Sequence, residues 1–348
     1  MLILYINIDD LINLLLICGE DTLNLSRVKK TMKRQVLQLN PILIPEVNAR
    51  IASAYTVHKF FEVSDQEAWL NANAAHIEAV ITGGHTGISD AMLERLPALK
   101  VVAINGVGTD AVNLNYCRAR ALPVTATLGA LTEDVADLAM GLLIAASRNL
   151  CSVDRFVRDG QWPLFPQPSA LPLARRFSGM RLGIVGMGRV GRAVAHRALA
   201  FGCPISYTDL HPMGDVAHRF VPHLLDLAQD SDALVLCAAA DQAEGIVNAA
   251  VLDALGPRGF LVNVARGRLV NEADLTAAVT QGRIAGAGLD VFVDEPNVSL
   301  ALRQSDKVTL QAHRASATWE TRTAMAEMVL ASLEQAFAGQ RPAMSLTT

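Results

Sequence analysis

The sequence predicts an α/β protein built from two domains with parallel sheets. Three observations predict it. Short, almost purely apolar runs alternate with amphipathic stretches, the pattern of strands covered on both faces and separated by crossover helices. A proline-rich stretch at 151–177 interrupts that rhythm once and divides it into two blocks. The length of 348 residues suits two domains at roughly 150 residues each.

Composition narrows the function classes. With 51% hydrophobic and 18% charged residues the chain is folded, not disordered. Thirty basic against 34 acidic residues leave a net charge of −4, with no basic excess to favour nucleic acid. The five cysteines (18, 117, 151, 203 and 237) are odd in number, scattered and free of any CxxC, which predicts a reduced, cytoplasmic protein. The longest apolar run, Leu138–Ala146, is too short to span a bilayer. Asp9 and Asp10 precede the apolar stretch Leu11–Ile17, where an export signal would carry positive charge. Neither a membrane partner nor export is expected.

Taken in order, residues 1–31 are rich in Ile, Asn, Asp and Leu and differ from the rest, so they are expected to be an extension outside the core fold or an added surface helix. Met32–Gln38 reads as the first strand and Ala79–Thr82 as another, ending in Gly83-Gly84. Ile88–Leu96 reads as a helix with Met92, Leu93 and Leu96 on one face. Val101–Ile104 is a strand leading into Asn105-Gly106-Val107-Gly108. Thr132 is the expected N-cap of a long helix carrying Val135, Leu138, Ala139, Leu142 and Leu143. Residues 151–177 read as loop, with Trp162 among prolines 163, 166, 168 and 172. Six further strands follow: Leu182–Val185, Ile205–Tyr207, Ala233–Leu236, Phe260–Val264, Gly288–Val291 and Val308–Leu310. Trp319–Phe337 reads as one helix that could cross back to the first domain. The expected division is 1–31 as extension, 32–131 plus 318–348 as a discontinuous substrate domain, and 132–317 as the domain inserted into it.

The inserted block carries a glycine motif in its required context. Strand Leu182–Val185 runs into Gly186-Met187-Gly188-Arg189-Val190-Gly191, and a helical stretch follows. Gly186 permits the tight turn, Gly188 lets backbone approach a pyrophosphate, and Gly191 lets helix meet strand. The helix N-terminus supplies free N–H groups to the phosphates, with Arg189 and Val190 in the same turn. The competing reading is a glycine-rich turn without a ligand. Asp209 stands eighteen residues after Gly191, at the end of the next strand, suited to accept hydrogen bonds from ribose hydroxyls. Leu210, His211 and Pro212 offer no Arg for a 2′-phosphate, so NAD is expected, with NADP as the other option. Both blocks therefore read as Rossmann-like.

Three polar groups follow strand ends, where open parallel sheets form their ligand crevice. They are Arg266 after strand 260–264, Glu295 twenty-nine residues later, and His313 eighteen further on. Singly, each reads as a surface arginine, a loop glutamate or a structural histidine. Together with their neighbours they resemble the D-isomer-specific 2-hydroxyacid dehydrogenases, nearest to the glyoxylate/hydroxypyruvate reductase branch. The resemblance is carried by Asn263-Val264-Ala265-Arg266-Gly267, by Gly288-Leu289-Asp290-Val291-Phe292 with Glu295-Pro296, and by His313 with Ser316-Ala317-Thr318. Gly106-Val107-Gly108-Thr109-Asp110 and Leu131-Thr132-Glu133-Asp134-Val135-Ala136 belong to the same pattern, which covers most of the chain from Met32.

The resemblance implies reduction of small 2-oxoacids such as glyoxylate and hydroxypyruvate by a homodimer. His313 would be the general acid. Glu295 would bond its other ring nitrogen and favour the charged form. Arg266 would grip the substrate carboxylate and polarise the oxo group. Backbone N–H groups of Val107 and Gly108 would complete the carboxylate site, Gly83-Gly84 could line its other wall, and Val264, Ala265 and Asp290 would lie along the nicotinamide. Trp162 would sit on an arm reaching a partner subunit, or else pack within its own chain. The chain departs from the family at Ala312-His313-Arg314-Ala315, usually Pro-His-Ile-Gly. Arg314 would either charge the crevice or point outward. Val293 replaces a frequent Glu, without expected consequence. No metal is expected: His211, His218 and His223 match no ligand spacing. His85 could reach the crevice or be an exposed turn residue. The alternative from another class is a corepressor-like protein that senses NAD(H) on the same fold.

Overall fold

A computed structural model describes residues 33–167, 171–239 and 243–347. The proposed extension at 1–31, Met32, Cys18 and Pro168 lie outside the described residues. The first sheet comprises β1 (Gln35–Gln38), β2 (Thr56–Lys59), β3 (Ala79–Thr82), β4 (Val101–Ile104) and β5 (Val124–Ala126). All pair in parallel, in the order β2-β1-β3-β4-β5. Successive side chains go to opposite faces. Leu37, Val80, Val102 and Ile104 enter one buried cluster, while Val36, Ile81, Val101 and Ala103 enter the other. Both faces being covered explains why these strands read as continuous apolar runs.

The second sheet has seven parallel strands in the order β12-β11-β10-β9-β6-β7-β8. These are β6 (Leu182–Val185), β7 (Ile205–Thr208), β8 (Arg219–Phe220), β9 (Ala233–Leu236), β10 (Phe260–Asn263), β11 (Gly286–Leu289) and β12 (Val308–Leu310). Six strands were expected. The two-residue β8 escaped because Arg219-Phe220 is too short to show an alternation, and β2 and β5 escaped for the same lack of signal.

The helices are α1 (Pro45–Ala54), α2 (Gln66–Asn73), α3 (Asp90–Glu94), α4 (Leu114–Ala119), α5 (Thr132–Ser147), α6 (Leu150–Arg158), α7 (Arg189–Leu199), α8 (Leu224–Gln229), α9 (Ala249–Leu255), α10 (Glu272–Thr280), α11 (Leu300–Gln304) and α12 (Trp319–Phe337). The helix expected over 88–96 is shorter, because Ser89 caps it by accepting from the Met92 N–H. Thr132 is the first helical residue of α5, not its cap; Leu131 holds that position without a side-chain bond. The loop expected at 151–177 is a helix in its first part, α6, whose side chains are all at least partly exposed. Leu150, Val157, Trp162, Leu164, Phe165 and Leu173 are each exposed in this stretch.

Two helices set the geometry of the cleft. Helix α5 packs on the second sheet so closely that a Cβ on Gly288 would meet Leu142 Cβ at 2.8 Å. Helix α12 returns to the first sheet, burying Ala326, Val329, Leu330 and Leu333 against Val36, Ala79 and Ile81. Thr318 caps α12 and hydrogen-bonds Asp134, tying its start to that of α5. The C-terminal ends of both sheets thus face the same region.

Candidate active site

The glycine turn leaves β6, where the strand order of the second sheet reverses between β6 and β9. Crevices form at such switch points. Gly186 has φ of +92° and a Cβ there would lie 2.5 Å from the Ala238 backbone. A Cβ on Gly191 would lie 2.1 Å from the Gly186 carbonyl oxygen, so α7 can approach the turn only with glycine there. Gly188 faces open space. It precedes α7 with no side-chain cap, leaving the first-turn N–H groups free for an anion. Asp209, after β7, accepts from the Met187 and Leu210 N–H groups at 2.7 Å each, which holds its carboxylate beside the turn. A cavity of about 330 Å³ runs along Gly188, Arg189, Val190, Val264, Ala265 and Asp290 to Arg266 and His313. Gly186, Gly191 and Asp209 border the turn without lining that cavity. A turn with an open second glycine, uncapped N–H groups and an adjacent acid fits a dinucleotide.

Arg266 is aimed by backbone bonds. Asn263, ending β10, accepts from the Ala265 N–H at 3.0 Å and donates to the Arg266 carbonyl at 2.9 Å. Arg266 Nε then donates to Asp110 at 3.1 Å and Nη1 to the Ala265 carbonyl at 2.8 Å. Arg268 binds the other oxygen of Asp110 at 2.6 Å. Burial pushes the Asp110 carboxyl up, but the two guanidiniums outweigh it and hold it below its usual range. A Cβ on Gly108 would lie 2.4 Å from Arg266 Nη2, so that glycine clears the arginine's path.

His313 sits in the left-handed region, φ +53°, in a loop organised by Asp290. The Asp290 carboxylate, buried after β11, accepts from the Arg314 and Ala315 N–H groups at 2.7 and 3.0 Å, and its carbonyl accepts from the His313 N–H at 2.8 Å. Burial raises its pKa against those two N–H groups. Glu295 accepts from the Phe292 N–H at 3.0 Å with one oxygen and lies 2.8 Å from His313 Nδ1 with the other. Burial raises the Glu295 pKa, but the His313 and Phe292 bonds outweigh it and hold it below the ordinary glutamate range. With Nδ1 so engaged, His313 Nε2 has no partner among the described residues. His85 Nε2 is 3.2 Å from His313 Nδ1, and the two rings meet edge to face at 4.6 Å. Burial, then the neighbouring His313, lowers the His85 pKa.

Arg266, Glu295 and His313 therefore share a second cavity, about 350 Å³, with Gly83, Gly84, His85, Val107 and Gly108. Asp110 and Asn263 are the positioning residues that sequence reasoning missed; both stand inside the quoted motifs, but nothing local reveals what they hold. Arg314 is exposed and lines neither cavity. Trp162 is exposed as well. His211, His218 and His223 do not converge. Among the described residues, His85, Glu295 and His313 are the one group of ligand-type atoms lying within 4.8 Å of one another.

Residues 140–315 match the family model described as D-isomer specific 2-hydroxyacid dehydrogenase, NAD binding domain. The chain is 41% identical over 287 residues to glyoxylate/hydroxypyruvate reductase A HPR2 of Arabidopsis thaliana, covering 82% of this chain and 90% of that protein. It is 40% identical over 302 residues to the 2-ketogluconate reductase of Gluconobacter oxydans, covering 86% and 94%. Among solved structures, an NADPH-dependent glyoxylate/hydroxypyruvate reductase from Sinorhizobium meliloti, in complex with NADP and malonate, superposes with a TM-score of 0.81. It is 34% identical, over 90% of this chain and 97% of that one. With the strand-end arginine, glutamate and histidine in one cleft beside a dinucleotide turn, the chain belongs to the D-isomer specific 2-hydroxyacid dehydrogenases and is an NAD(P)-dependent oxidoreductase.

Proposed function

We propose that the protein reduces small 2-oxoacids, glyoxylate and hydroxypyruvate foremost, to the D-2-hydroxyacids. The observation that carries this reading is the convergence of Arg266, Glu295 and His313, from three separate strand ends, in one cavity adjoining the glycine turn. The reduced nicotinamide, when bound, supplies the hydride. Gly188, Arg189 and Val190 would hold the phosphates at a turn shaped by Gly186 and Gly191, Asp209 would hold the ribose, and Val264, Ala265 and Asp290 would lie along the nicotinamide. An acid at 209 with Leu210 beside it favours NAD, although the solved S. meliloti relative takes NADP.

Arg266 binds the substrate carboxylate together with the Val107 and Gly108 N–H groups and polarises the oxo oxygen. Two of its five N–H groups are engaged by Asp110 and Ala265, which leaves three for the substrate. His313 delivers the proton to the oxo oxygen from Nε2, while Glu295 holds Nδ1 and stabilises the imidazolium. The neutral ring is left once the hydroxyl has formed, and a proton from solvent restores it.

We further propose the division 32–131 plus 318–348 for the substrate domain and 132–317 for the dinucleotide domain, with catalysis between them. The exposed apolar side chains of α6 and the Trp162 loop support a homodimer. No single described helix is long and apolar enough to cross a membrane. Cys117, Cys151, Cys203 and Cys237 are unpaired thiols, in keeping with a cytoplasmic enzyme. The relatives are named as reductases, so nothing favours the NAD(H)-sensing alternative. His313→Ala is expected to lower kcat for glyoxylate about 10²- to 10⁴-fold while leaving NADH affinity intact. Undiminished turnover would defeat the assignment.

A further inference from the structure

The substrate cavity holds a cation that the chemistry above does not use. Arg322, one turn into α12, lines it together with Asn40, Asn105 and Met325. Its backbone is fixed: Thr318 caps the helix, and Thr321 Oγ1 donates to the Ala130 carbonyl at 3.3 Å. Its guanidinium is not. Arg322 Nε is buried without a hydrogen-bond partner, and no carboxylate pairs with the group among the described residues. Burial and the nearby Arg314, another cation, both lower its pKa. Asn105 Oδ1, following β4, is a buried acceptor without a partner on the same cavity, open to a donor such as a hydroxyl and not to an anion. Arg266, by contrast, has a carboxylate partner in Asp110, which it shares with Arg268.

A half-buried cation without a counter-ion is costly unless a ligand supplies the anion. Dinucleotide phosphates do not answer the need, because Arg322 lines the substrate cavity and not the one along the glycine turn.

We propose that Arg322 binds a second acidic group of the substrate. Among 2-oxoacids longer than glyoxylate and hydroxypyruvate, those bearing a carboxylate or phosphate at the end remote from the carbonyl are then favoured. This rests on the reductase reading above and names the substrate class within it.

The test compares kcat/KM of the full chain for glyoxylate, 2-oxobutyrate, 2-ketogluconate, oxaloacetate and phosphonooxypyruvate, each with NADH and NADPH. Arg322→Met and Arg322→Lys are run beside the wild type. Oxaloacetate or phosphonooxypyruvate is expected to exceed 2-oxobutyrate about tenfold or more, and which of the two leads identifies carboxylate or phosphate. In Arg322→Met the ratio of that substrate to glyoxylate is expected to fall about tenfold or more, chiefly through KM. Arg322→Lys is expected to recover part of it and serves as the check on folding. An unchanged ratio overturns the proposal, as does a wild-type preference for 2-oxobutyrate or 2-ketogluconate. Absence of turnover with every 2-oxoacid would instead defeat the reductase reading, and this inference with it.

Discussion

The two walls of the cleft are built in opposite ways. The dinucleotide wall is mostly backbone: one six-residue turn and the N-terminus of α7, shaped by positions where a Cβ cannot fit. The substrate wall is mostly side chains, delivered from Asn40, His85, Asn105, Arg266, Glu295, His313 and Arg322. A backbone site needs contiguous residues of a special type, because only glycine tolerates the turn and the close approach. A side-chain site needs only that separate strand and helix ends meet in space. The first kind of wall is specific to a cofactor many enzymes share, while the second can change substrate by exchanging one distant residue.

That contrast makes unequal demands on the walls. Gly191→Val should act first on the dinucleotide wall, since its Cβ would start 2.1 Å from the Gly186 oxygen. Overpacking of this kind typically costs 1–3 kcal/mol, so NADH affinity measured by fluorescence titration is expected to weaken about 10- to 100-fold. Normal affinity would mean that the turn is not held by backbone contact.

Glu295→Gln probes the substrate wall, with an expected loss of about tenfold in kcat from weaker orientation of His313. The sign of the pH effect follows from Glu295. Its folded-state pKa lies below the ordinary 4.5, so the carboxylate that holds His313 stays ionised above that value and is lost only as pH falls through the lowered one. The wild-type acid limb should therefore lie below pH 4.5, and the Gln variant should lack it. A wild-type profile already falling near pH 6 would contradict this.

The smallest effect tests the frame behind both walls. Asp232 receives the Arg181 N–H at 2.9 Å and the side chains of Arg181 and Arg175. Burial pushes its carboxyl up, but these bonds prevail and bring its pKa from 3.8 to about 2. A lowered carboxylate pKa stabilises the fold above about pH 3.8 and ceases to do so as pH falls towards 2. Asp232→Asn should thus cost about 1–2 kcal/mol in urea unfolding at pH 7, shrinking at acid pH, with activity unchanged.

Legibility followed the same division. The strands 79–82, 101–104, 182–185, 233–236 and 308–310, and the helix 319–337, matched the apolar pattern residue for residue. Helix α6 did not, because prolines further along the same stretch dominated its reading and its own side chains bury nothing fully. Arg266, Glu295 and His313 were legible because each follows a strand end inside a family motif. Asp110, Asn263, Asn105 and Arg322 were not, since each acts through a neighbour far away in sequence.

By itself, the sequence determined the two parallel sheets and the glycine turn, through periodicity and glycine, and it singled out Arg266, Glu295 and His313 through strand-end position and the family motifs around them. Only the tertiary structure decided that Asp110 anchors Arg266, that His85 meets His313 edge to face, and that α12 brings Arg322 into the cavity of Arg266, Glu295 and His313. Those outcomes depend on how the two sheets face each other, and that packing is long-range and leaves no mark on neighbouring residues.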